Sequence, residues 1–136
     1  MPAVFLDYAT VSHRGDLDPS FLQRILPGVV LRDHTAQEAV TETLADARVA
    51  LLNKLRLTRH VIEALPRLRL ICLAATGTNN IDLEAAGERG IAVCNLRDYC
   101  TVSVVQHALG MMLALNQHLA DYSRLVASGG WQQKRH

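Results

Sequence analysis

The sequence is short of net charge. Its 136 residues sum to +1, which removes the global electrostatic case for a nucleic-acid partner or an anionic membrane surface. Only Arg24 to Arg32 and the tail Lys134-Arg135-His136 are locally basic, and both read as solvated surface. Cysteine is scarce as well: Cys72, Cys94 and Cys100 are odd in number and lack CxxC spacing. Cys72 and Cys94 fall inside apolar runs, where a thiol behaves as a small hydrophobe. That points to the reducing cytoplasm rather than to a disulfide framework. No run reaches the ~18 apolar residues of a membrane span, and Met1 to Asp7 lacks the basic region and long apolar core of a signal peptide. Neither GxGxxG nor a Walker A sequence occurs, so a complete nucleotide site is not expected within these residues. His107 and His118 share one helical face but are spaced too widely to hold one ion. They read as core or interface residues, and no metal site is expected.

What is present is apolar substance: 49 % hydrophobic and 20 % charged residues, enough for one globular domain with a core and short of two full ones. Strand and helix signals alternate. Ala3–Leu6 reads as a strand, and Asp18-Pro19 sets a cap and a first helical position for a helix to about Leu26. Val29–Leu31 is a second strand. From Thr35 to Asp46, Ala36, Val40 and Leu44 recur four apart, which predicts an amphipathic helix. Ala47–Leu52 is a third strand, and Thr58 caps a helix through Leu65. Leu68–Leu73 is a fourth strand, Asp82–Glu88 a helix, and Ile91–Cys94 a fifth strand. Repeated β–α alternation with buried-looking strands argues an open parallel sheet with helices on both faces, flavodoxin-like in kind.

After Asn95 the character changes. Thr101 to about Ser128 reads as one long helix, roughly 40 Å at ~1.5 Å per residue, with Gly129-Gly130 past its end. Its first half is apolar nearly all round, from Val102 to Leu115. A helix apolar on every side needs partners on every side, which predicts a second domain or another subunit against it. Thr101 and Ser103 are candidate caps for it. Cys100 precedes it without a base nearby in sequence, so no nucleophile is expected there.

The stretch most suggestive of function follows the fourth strand, where Ala74-Ala75-Thr76-Gly77 leaves the backbone itself exposed. Gly77 allows a positive φ or a close approach to a ligand, and Asp82 can cap the helix beyond. Free N–H groups at such a junction suit an anion such as a carboxylate. Asn53-Lys54 ends the third strand at the same edge of the sheet, where open α/β sheets bind ligands. Asp7 after the first strand is placed like an acid of receiver domains, but Asn53 stands where such a domain needs a phosphorylatable Asp, which sets that reading aside.

Several segments in order carry a family likeness: Asn53-Lys54; Leu65-Pro66-Arg67-Leu68-Arg69-Leu70-Ile71; Ala75 to Leu83; Gly90 to Asn95; Tyr99 to His107; and Gly130-Trp131. Together they resemble the amino-terminal part of the D-isomer-specific 2-hydroxyacid dehydrogenases, with the flavour of the glycerate dehydrogenase (hydroxypyruvate reductase) branch. The resemblance implies an incomplete flavodoxin-like substrate domain over residues 1–98. Residues 99–136 would hold a long interdomain and dimerisation helix leading toward a Rossmann NAD-binding domain missing here. It implies a substrate site of Asn53, Lys54, Ala75, Thr76, Gly77 and Tyr99, the 75–77 loop giving backbone N–H groups to the substrate carboxylate. Thr76, Thr101, Ser103 and Val105 would border the cofactor, NAD(H) or NADP(H). The partners implied are a small 2-oxo or 2-hydroxy acid and a second copy of the chain through helix 101–128. The family's catalytic Arg, Glu and His have no counterpart here. The expectation is therefore a part of a hydride-transferring oxidoreductase that is inactive alone and holds no cofactor tightly. The alternative is a non-catalytic carboxylate-binding or dimerisation module of the same fold.

Overall fold

Val49-Ala-Leu-Leu52 has no polar residue to turn outward, and it lies at the centre of the sheet with every residue buried. The computed structural model describes residues 2–133, in two compact units that divide between Arg97 and Asp98. In the first, strands β1 (Ala3–Phe5), β2 (Val30–Leu31), β3 (Val49–Leu52), β4 (Leu70–Leu73) and β5 (Ala92–Cys94) pair in the order β2-β1-β3-β4-β5. Every pairing is parallel. This is the flavodoxin-like order expected from the alternation of elements, and its strand order reverses between β1 and β3.

Period-two alternation divides the strand residues between two faces. Leu6, Ala50, Leu52, Ile71 and Leu73 join one core with Leu57, Ile62, Leu65, Leu68 and Ile91. Helices α2 (Val40–Thr43), α3 (Arg59–Glu63) and α4 (Leu83–Glu88) contribute Val40, Val61, Ile62, Ala85 and Ala86 to it. Ala3, Phe5, Val49 and Leu51 form the smaller core opposite, with Leu22 of α1 (Ser20–Ile25) and, toward the β5 side, half-buried Leu70 and Cys72. Each large side chain so withdrawn from water contributes about 1.5–3 kcal/mol. Edge strand β5 is thinly covered on this second face: Ala92 and Cys94 are exposed there, and only Val93 packs on the main core. Cys94 is thus not the buried small hydrophobe its apolar run suggests.

Several local expectations shift. The helix expected over Thr35–Asp46 is a 3₁₀ turn, Gln37–Ala39, followed by the single turn α2. Val40 and Leu44 are buried as the stripe requires, but Ala36 is extended and exposed. Val40-Thr-Glu-Thr43 is rich in β-branched residues that favour helix weakly. Gln37 is also drawn away to exchange hydrogen bonds with the Arg56 backbone, at 2.9 and 3.0 Å. Pro19, expected as the first helical position, is instead the N-cap of α1, one place after Asp18, whose carboxylate accepts from Ser20 N and Oγ; Asp82 Oδ1 accepts from Ala85 N at 2.9 Å. Thr58 takes the N-cap position of α3 without a side-chain bond.

The second unit corrects the single long helix. Helix α5 (Thr101–Asn116) stops, His118 adopts a left-handed backbone (φ 50°), and α6 (Leu119–Ala127) begins anew. Asn116 and His118 are weak helix formers, and a lone left-handed residue is enough to end the ladder. At 16 residues α5 is about 24 Å long rather than 40. Its N-cap is Cys100, with no side-chain cap bond, so Thr101 and Ser103 do not serve as caps. None of its residues is buried, the apolar ones included. Gly129, at φ 71°, ends α6 as the sequence suggested, and a last turn α7 (Gly130–Gln133) follows. The basic tail Lys134-Arg135-His136 lies outside the described residues.

Candidate functional site

The strand order reverses between β1 and β3, and open α/β sheets bind ligands beyond the carboxyl ends of the strands near such a point. Asp7, two residues past β1, fills the base of that position with a carboxylate only 3 % exposed. Its Oδ1 accepts from Asn53 N at 2.9 Å and its Oδ2 from Lys54 N at 2.7 Å. Asn53 Nδ2 donates in turn to Thr10 Oγ1 at 3.0 Å, and Thr10 Oγ1 donates to the Asp7 carbonyl at 2.7 Å. From the other side, Asn80 Nδ2 donates to Leu55 O at 2.9 Å. The turn that presents Lys54 is therefore held by charge-assisted bonds on one flank and an amide on the other. The Lys54 side chain is exposed and makes no ion pair among the described residues.

The neighbouring loop follows β4. Ala74 N still donates to Leu52 O at 2.8 Å, continuing the ladder, and then the ladder ends. Leu96 N donates to Ala75 O at 3.0 Å and Asn95 Nδ2 to Thr76 O at 2.7 Å, so these carbonyls are tied toward the chain leaving β5. The N–H groups of Ala75, Thr76 and Gly77 make no hydrogen bond among the described residues. Successive free amides next to a lysine form a concavity suited to an anion.

A cleft of about 320 Å³ joins the two pieces, lined by Asn53, Lys54, Ala75, Gly77, Asn79 and Asn80. Four of the expected substrate residues thus share one wall. Thr76 is exposed in the same loop without lining the cleft, and Tyr99 belongs to the second unit, 60 % exposed. Thr101, Ser103 and Val105 are also in the second unit, exposed near the start of α5. Gly77 does not take a positive φ. A Cβ there would stand 3.2 Å from Asn79 Oδ1, the movable end of an exposed side chain.

Sequence reasoning missed Asp7, Asn79 and Asn80 as parts of the site. The only signal was an acidic residue closing the first strand, and its partners lie 46 and 47 residues away. The helix start beyond the loop is itself occupied. Asp82 already caps α4, and Arg59 lies 4.0 Å from Asp82, 3.3 Å from Glu84 and 2.6 Å from Glu88. The hydrogen bond to Glu88 above all, then the nearby carboxylates, raise the Arg59 pKa above its ordinary value. That cluster ties α3 to α4; the free amides belong to the loop before it. Among the described residues no three potential ligands gather for a metal, and no helix is long and apolar enough to cross a membrane.

Residues 9–131 match the family model of the D-isomer specific 2-hydroxyacid dehydrogenase catalytic domain. The chain is 37 % identical over 98 residues to the glycerate dehydrogenase of Methylorubrum extorquens, covering 72 % of this chain and 31 % of that protein. It is 34 % identical over 121 residues to the hydroxypyruvate reductase of Blautia hydrogenotrophica, covering 87 % of this chain and 37 % of the relative. The NAD-dependent formate dehydrogenase of Staphylococcus aureus, solved in complex with NAD, superposes with a TM-score of 0.73 at 26 % identity. That likeness covers 95 % of this chain and 42 % of the other. The chain spans about a third of the length of the curated relatives named here.

Proposed function

The chain belongs to the D-isomer-specific 2-hydroxyacid dehydrogenases, and from that premise we propose that its cleft holds the carboxylate of a small 2-oxo acid of the hydroxypyruvate kind. The observation that carries the reading is the run of unbonded amides at Ala75–Gly77 bordering a cleft with Lys54 and Asn53. The amides give directional bonds to the carboxylate oxygens, and Lys54 supplies the compensating charge. Asp7 orients the turn that carries Lys54 and touches no substrate.

The reaction proposed for the whole enzyme is reversible hydride transfer between NAD(H) or NADP(H) and the 2-oxo/2-hydroxy acid pair. Among the residues present, we assign Thr76 of the first unit, and Thr101, Ser103 and Val105 near the start of α5, to the nicotinamide side. No glycine-rich pyrophosphate loop occurs among them. When bound, the cofactor supplies the hydride. The part of these residues is to fix the carboxylate, with Tyr99 assigned to the substrate side. We assign the catalytic Arg, Glu and His to a part of the enzyme outside residues 1–136, and so expect these residues alone to be inactive and to bind cofactor weakly. The exposed apolar residues of helix α5 support a homodimer through 101–128. Three free cysteines fit a cytoplasmic setting.

The test is a titration of the chain with hydroxypyruvate followed by amide NMR, alongside an NADH-oxidation assay. Expected are shifts at Ala75, Thr76 and Gly77, affinity reduced about tenfold in K54A, and no turnover. Turnover by the homogeneous chain would overturn the division of labour. Shifts confined to residues outside the cleft would overturn the site. Carboxylate binding by a chain whose reading frame nowhere encodes GxGxxG would favour the non-catalytic module instead.

A further inference from the structure

Cys72 of β4 and Cys94 of β5 are register partners in the parallel ladder. Register partners point to the same face, and adjacent strands lie about 4.8 Å apart. That falls inside the Cα separation of about 4.4–6.8 Å that a disulfide spans. The face is the thinly covered one, where Cys72 packs half-buried against the smaller core and Cys94 is exposed. β5 is an edge strand with one side unpaired, so it can adjust to a cross-link without disturbing a further neighbour. Both thiols are free, and the third, Cys100, is in the other unit.

We propose that Cys94 and Cys72 form a thiol-modification site, in which Cys94 takes up a low-molecular-weight disulfide and Cys72 resolves it into a Cys72–Cys94 disulfide. In the first step the Cys94 thiolate attacks one sulfur of the small disulfide and expels one thiolate, leaving a mixed disulfide. In the second the Cys72 thiolate attacks the Cys94 sulfur, the second small thiolate leaves, and the two protons lost by the protein thiols end on the two released thiols. The protein dithiol loses two electrons and the small disulfide gains them. The order of attack follows from the surroundings. Cys94 is exposed, whereas burial, and secondarily the nearness of Cys94, pushes the Cys72 thiol up.

The site reaches the loop that borders the cleft. Ala75 and Thr76 follow shortly after Cys72, and their carbonyls are held by Leu96 N and by Asn95 Nδ2, just beyond Cys94. A bond between the two strands fastens both sides of that clamp.

The chain is treated with oxidised glutathione and followed by intact mass, peptide mapping and amide hydrogen exchange. Expected are a transient single adduct at Cys94, then a species about 2 Da lighter than the reduced protein and linked Cys72 to Cys94. Dithiothreitol should reverse it. C72S should stop at the adduct, C94S should remain unmodified at Cys72, and C100S should behave as the parent. A stable adduct in the parent chain, a Cys94–Cys100 link, or no reaction would overturn the proposal. Slower exchange at Ala75–Gly77 in the linked form is expected, and unchanged exchange would overturn its coupling to the loop.

Discussion

Strand β3 and helix α5 are alike in composition and opposite in fate. Val49-Ala-Leu-Leu52 is buried at every residue, while Val102, Val104, Val105, Leu109, Met111, Met112, Leu113 and Leu115 are all exposed. Apolar side chains do not bury themselves. β3 has β1 and β4 beside it and helices or turns over it; among the described residues of the second unit, α5 packs against the short α6. Apolar sequence declares a need for a partner and says nothing of whether the partner is in the same chain. An apolar surface of this extent normally marks an interaction surface.

The sharpest way to break the comparison is a matched pair of truncations. Leu52 is 0 % exposed and Leu109 is 54 % exposed. Leu52→Ala should cost about 2–5 kcal/mol, and Leu109→Ala under about 0.5 kcal/mol in the monomer. Urea denaturation at low protein concentration reads both, and equal losses would mean that α5 is packed in solution.

Next in size is Asp7→Ala, which leaves the Asn53 and Lys54 amides without their carboxylate. A loss of about 2–3 kcal/mol is expected, with weaker hydroxypyruvate binding than that loss alone explains, because Lys54 is no longer held in place. Binding unchanged in a folded Asp7→Ala chain would remove Asp7 from the account of the site.

The smallest effect is at the start of α1. The Ser20 hydroxyl first, then its N–H, hold the Asp18 carboxyl below its usual value. A depressed folded-state pKa stabilises above the unfolded value, and that stabilisation is lost as pH falls through the folded value. Asp18→Ala should therefore lower the unfolding midpoint slightly at neutral pH, and the difference should vanish well below about pH 4. A difference that persists in acid would place the cause elsewhere than in the charge.

The legible features were the ones with local causes. Asp82 accepts from Ala85 N, and Gly129 takes a positive φ, because caps and turn glycines act within a few residues. Strands β3 and β4 stood out because an apolar run between turn formers has few other uses. Helix α2 is shorter than its apolar spacing predicts because Gln37 answers to Arg56, beyond the reach of a periodicity argument. The break at His118 was missed because nothing more emphatic than Asn116-Gln117 announces it.

At the site the division is the same. That small residues follow β4 and that Asn53-Lys54 ends β3 is readable locally, since both are written contiguously. Folding of the whole sheet was needed for Asp7 to bind the Asn53 and Lys54 amides and for Asn79 and Asn80 to share their cleft. It alone put Cys72 beside Cys94. Those meetings depend on strand order and register, which are fixed by how the whole set of apolar faces packs and not by any one segment.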